Sequence, residues 1–118
     1  LTLGGILSLA DGSASAPSLT NTGDTNCGLY FSDTDTLAFT AGGTAQVTFA
    51  DGLIAPATND DVDLGTASLR FKNIYTMDLH LANDRGDWTV IEEENYLSLR
   101  NNKNGKLFKI LMQEISEE

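Results

Sequence analysis

Lysine, arginine, glutamate and histidine are all missing from residues 1–69, where every charge is an aspartate. The seven cations of the chain fall between Arg70 and Lys109, against 17 acids in all, and the formal net charge is −10. Nucleic-acid binding needs clustered cations to displace counterions from phosphates, and the first half of the chain has none to offer. Attraction through charge alone to anionic lipid or to a phosphorylated surface polysaccharide is disfavoured for the same reason. Cys27 is the one cysteine, so no disulfide can form within the chain and no redox compartment is implied. No apolar run approaches the ~20 residues that cross a bilayer as a helix, no signal peptide is visible, and insertion into a membrane is not expected. The sequence opens on Leu1 rather than on Met, and it is expected to be a piece of a longer polypeptide.

What is present reads as β-structure in three parts. Residues 1–56 are rich in Thr, Ser, Gly and Ala, with short alternating runs between turn residues. Leu37-Ala38-Phe39 and Val47-Thr48-Phe49 alternate as strands with one buried face do, and Gly42-Gly43 between them supplies the positive φ of a tight reversal. This predicts a β-hairpin. A second hairpin is expected on residues 1–12, where Leu1-Thr2-Leu3, Gly4-Gly5 and Leu7-Ser8-Leu9-Ala10-Asp11-Gly12 parallel the later run that ends in Val47-Thr48-Phe49-Ala50-Asp51-Gly52. Turn chemistry favours Asp-Gly anyway, so the parallel also has a local explanation. Residues 57–83 are a connecting loop and strand module. A turn of helix is expected around residues 66–71, then a strand over residues 74–81 with Tyr75, Met77, Leu79 and Leu81 on one face.

Residues 84–118 predict a three-stranded antiparallel meander. Its strands are Trp88-Thr89-Val90-Ile91, Tyr96-Leu97-Ser98-Leu99-Arg100 and the run from Leu107 to Met112, turned at residues 92–95 and at Asn104-Gly105. Most large side chains lie from residue 69 onward, so this part should nearly make a core of its own. Residues 1–56 contain no Lys and only Pro17 and Pro56 to guard strand edges. Open Thr/Val/Phe edges invite aggregation, and closed packing of identical chains about an axis would cover them.

Three blocks of the sequence resemble tailed-bacteriophage fibre proteins. Thr22-Gly23-Asp24-Thr25-Asn26-Cys27-Gly28-Leu29-Tyr30, followed by Asp35 to Phe39 and Ala41-Gly42-Gly43-Thr44, is similar to a repeat of such fibres, with Cys27 where Thr is usual. The run from Asp63-Leu64-Gly65 through Arg70-Phe71-Lys72-Asn73-Ile74-Tyr75 resembles a motif near the ends of tail fibres and spikes. Residues 78–106 are similar to the C-terminal part of structural proteins of the marine cyanophage and pelagiphage type. The resemblance implies an all-β, extended, fibre-like array of short strand modules ending in an antiparallel meander and intertwined as a homotrimer. It implies a non-enzymatic virion protein on the phage tail, baseplate or head, involved in host attachment. Its partners would be copies of itself, other virion proteins and a bacterial surface receptor or glycan, and it would need no cofactor. A head fibre or capsid decoration protein, a carbohydrate-binding receptor tip and a polysaccharide depolymerase fragment are the other readings.

Chemistry-bearing residues are few. His80 is the only imidazole, so any Ser-His or Cys-His arrangement within one chain must use it. Cys27 is separated from it by 52 residues and lies in another module, and the plain reading of His80 is a solvent-facing residue on a strand. The alternative is three copies of His80 meeting at a trimer axis to hold a metal. Asp60, Asp61 and Asp63 are the candidates for calcium, although the run lacks the Gly and distal Glu of an EF-hand loop. Glu92-Glu93-Glu94 reads as a solvated turn. Arg85-Gly86-Asp87 reads as a turn that Gly86 permits. Tyr30, Phe31, Tyr75 and Trp88 are the candidates for a sugar-stacking contact, weighed against packing within the protein.

Overall fold

Turns rich in Gly, Asn and Asp cut the alternating segments into strands, and a computed structural model describes residues 2–117 of the result. The protein is all-β, with two antiparallel sheets and no helix among the described residues. It divides into two compact units, Leu1–Arg70 and Phe71–Glu118.

The first unit holds a five-stranded meander of β1 (Leu19–Asn21), β2 (Asp24–Asp33), β3 (Thr36–Ala41), β4 (Thr44–Ala50) and β5 (Leu53–Pro56), each strand beside its neighbour in sequence. The predicted hairpin is β3–β4. Its turn is Gly42-Gly43, with φ of 59° and 77°, values that match the right-handed twist of the flanking strands. The hairpin expected on residues 1–12 does not form. Leu1 lies outside the described residues, and residues 2–18 contain no strand. Arms of three residues leave too few ladder bonds to offset the cost of ordering them. The segment is tied instead to the sheet that follows it. Ser18 Oγ donates to the Ala10 and Asp11 carbonyls at 2.6 Å each, Phe31 N donates to Asp11 O at 2.8 Å, and Thr40 Oγ1 donates to Ala14 O at 2.7 Å. Thr40, Tyr30 and Ala38 are buried on that side of the sheet, and Ala38 is wholly inaccessible.

The second unit holds the predicted meander with one strand more: β6 (Leu79–Ala82), β7 (Asp87–Glu92), β8 (Leu97–Asn101) and β9 (Leu107–Lys109). The strand expected over residues 74–81 is thus confined to its end, and Tyr75 and Met77 are exposed outside it. The register pairs Leu79 with Val90, so residues before Met77 would need partners beyond Glu92. There β7 stops, because Glu93 N turns to the Tyr96 carbonyl at 2.9 Å. The third predicted strand shortens for a like reason. Ile110 N still reaches Leu97 O at 2.9 Å, but β8 begins at Leu97 and leaves Leu111 and Met112 unpaired and exposed.

Residues 66–71 make a hydroxyl-braced loop in place of the helical turn. Thr66 N donates to Leu69 O at 2.8 Å, the reverse of helical direction, and Leu69 N donates to Thr66 Oγ1 at 2.9 Å. Nor does the second unit enclose an apolar core. Its buried side chains among the described residues are Thr89 and Ser98, while Leu107 and Phe108 are about half exposed.

Candidate functional site

The register of the first sheet sorts its side chains cleanly by face. Directly paired residues share a face, and so do residues two apart along a strand. Leu19, Leu29, Phe39, Val47 and Pro56 form one row across five strands. Phe31, Leu37, Phe49 and Ile54 form a parallel row two residues along. Both rows lie on one face. The row between them, Tyr30, Ala38, Thr48 and Ala55, lies on the other, where the chain's own N-terminal segment bonds to Thr40.

The first face is therefore built wholly of large apolar groups. Phe39 and Phe49 meet edge to face with centroids 5.4 Å apart. Val62 and Leu64 border the face beside Val47, Ile54 and Pro56. Leu7 and Leu9 border it beside Phe31, and the rest stands open: Phe31, Phe39 and Phe49 are about two-fifths exposed, and Leu19 and Ile54 more than half. Each of its strands shows the alternation in sequence. What reveals the common face is the pairing of β3 with β4: Gly42-Gly43 sets Ala41 opposite Thr44 and Thr40 opposite Ala45, and a register shift between Phe39 and Thr40 then sets Phe39 opposite Val47 and Leu37 opposite Phe49.

The second sheet repeats the division. Leu79, Val90, Leu99 and Phe108 are in register on one face, with Leu81 and Trp88 beside them, and the Trp88 and Phe108 rings lie 5.8 Å apart. The opposite face carries a polar chain that the sequence pattern does not announce. Thr89 Oγ1 lies 3.1 Å from His80 Nδ1, and the Asn102 amide donates to Thr89 Oγ1 at 3.0 Å and to Asp87 Oδ1 at 2.8 Å. Nearby, Ser98 Oγ donates to Glu93 Oε1 at 3.1 Å. Strand pairing alone brings His80 to Thr89, and the β8–β9 turn delivers Asn102. Thr89 is only 5 % exposed, so its hydroxyl is a satisfied buried group with no path to a substrate.

Within each unit, the residues singled out in the sequence are not gathered into a site. Tyr30 is buried in the first unit and Phe31, its neighbour, points to the opposite face. Tyr75 is 93 % exposed outside any strand, and Trp88 is half-buried against Phe108. Asp60, Asp61 and Asp63 are not gathered either, since no group of three acidic, His or Cys side chains is placed to hold a metal among the described residues. Cys27 is exposed on β2 of the first unit, and His80 is exposed on β6 of the second. Of the three consecutive glutamates, Glu93 bonds Ser98 while Glu92 and Glu94 face solvent. Gly86 closes the turn with a 2.9 Å bond from Asn83 N, and its contribution is space: a Cβ there would stand 3.2 Å from the Trp88 indole. No protein-family model matches the chain, and no curated protein or solved structure matches it.

Proposed function

We propose that the chain is a non-enzymatic segment of a trimeric phage tail fibre or appendage, with a mechanical role in host attachment. The observation that carries the reading is the open apolar face of the five-stranded sheet, centred on Phe31, Phe39 and Phe49. A sheet that is apolar on one side must bury that side against another layer, and the first unit supplies a single sheet. Proteins that fold as intertwined copies leave such faces on each isolated chain. The three sequence blocks similar to phage fibres give the assembly its biological setting. The non-enzymatic part rests on the lone imidazole, whose neighbour Thr89 is buried.

Immunogold electron microscopy of virions whose genome encodes the chain tests the reading. Antiserum raised against the chain should decorate a tail or head appendage. Labelling restricted to unassembled protein in the lysate overturns it.

A further inference from the structure

The geometry points to a defined contact surface: copies of this chain pack on one another through the face carrying Leu19, Leu29, Phe31, Leu37, Phe39, Val47, Phe49 and Ile54. The inference deepens the trimeric reading above by naming the surface that joins the copies. Three observations select a second copy as its occupant.

The first is the state of the opposite face. The chain's own Ala14 already lies there, its carbonyl accepting from Thr40 Oγ1, and Tyr30, Ala38 and Thr40 are buried, so the more open face is the one left to join copies. The second is charge. Neither row contains a carboxylate or a cation, and the acids of this unit stand in turns and at strand ends, as Asp33, Asp35 and Asp51 do. A charged partner finds nothing there to recognise. An identical face matches it in kind, and like faces meet without burying an ion. The third is area. Leu19, Phe31, Phe39, Phe49 and Ile54 leave on the order of 500 Å² of side chain in solvent, taking roughly 200 Å² for a whole aromatic group. With the half-buried Leu29, Leu37 and Val47 added, this approaches the ~800 Å² that each partner contributes to a stable interface.

Cys27 supplies a native probe, because it lies two residues before Leu29 on β2, at the rim of the same face, and its thiol is free and exposed. Light scattering on the intact chain should give three times the chain mass, and a maleimide should label Cys27 slowly in that assembly. Leu19→Glu and Ile54→Glu place a carboxylate at exposed positions on the two border strands, where folding of the single chain tolerates it. Phe39→Glu places one at the centre. All three variants should lose the assembled mass and label rapidly at Cys27, with the border variants keeping the β signal in circular dichroism. A folded border variant that retains the wild-type mass overturns the inference and leaves the fibre reading standing. A monomeric wild type overturns both the contact surface and the trimer.

Discussion

At Gly28 the backbone of β1 leaves no room for a side chain on β2. A Cβ at this position would collide with the Leu19 carbonyl oxygen and stand 3.2 Å from Thr20 Cα. These are backbone atoms of β1, and neither can swing aside. Gly28→Ala is expected to strip β1 from the sheet and to cost roughly 1–3 kcal/mol, as overpacking does. The urea midpoint of the folded chain measures it, and an unchanged midpoint would mean that β1 slides without loss. Thr89 is the corresponding position in the second sheet. Thr89→Val keeps the shape but leaves His80 Nδ1 and one Asn102 contact without their partner, an expected loss of about 1–3 kcal/mol. Thermal unfolding should show it, and Asn102→Ala should add little in the Thr89→Val background, because the two share one network. Neither role was legible in the sequence. The need for glycine at residue 28 comes from a strand nine residues earlier, and the need for a hydroxyl at residue 89 from a register that only pairing sets.

At the scale of elements, legibility followed the turns. Where a strong turn signal joined two alternating runs that extend into strands of 6 and 7 residues, as in β3–β4, the hairpin could be read from the residues, but its register could not, because a shift between Phe39 and Thr40 brings Val47 opposite Phe39. Where the arms were shorter, the same cue misled. Leu1 to Gly12 carries the pattern of the later hairpin, yet residues 2–12 form no strand, and the carbonyls of Ala10 and Asp11 bond Ser18 and Phe31 instead. Strand ends were illegible for another reason: a strand lasts at most as long as its partner, so β9 ends close to where β8 runs out, and no pairing on β7, which ends at Glu92, could carry β6 back past Met77. The apolar faces were half legible, as alternation within each strand but not as a surface. The turn itself offers a test. Gly42→Asn should be near neutral, within about 0.5 kcal/mol, because Asn tolerates positive φ in this turn type. Gly43→Val puts a β-branched residue at φ 77° and should cost at least about 1–2 kcal/mol. Equal denaturation midpoints for the two variants would show that the turn does not set the hairpin.

For the whole molecule, charge and apolar surface oppose each other, and their balance makes association depend on salt in a predictable direction. The net charge is −10, and no cation lies in residues 1–69 to neutralise the aspartates of the first sheet. Asp33, Asp35 and Asp51 stand exposed in the turns at the end of the sheet that carries the Phe31–Leu37–Phe49–Ile54 row. Copies joined through the apolar face bring these like charges toward one another. At low ionic strength the repulsion reaches across ~30 Å at 0.01 M salt, and it contracts to ~10 Å at 0.1 M. Burial of Phe31, Phe39 and Phe49 does not weaken over that range, since it depends on apolar area rather than on charge. The assembled fraction should therefore rise as sodium chloride goes from about 10 mM to about 100 mM. Sedimentation velocity at fixed protein concentration reads this directly. Asp33→Asn combined with Asp51→Asn should flatten the dependence by raising association at low salt. An assembly that loosens with salt would be held by ion pairs, and a contact through the apolar face could not account for it.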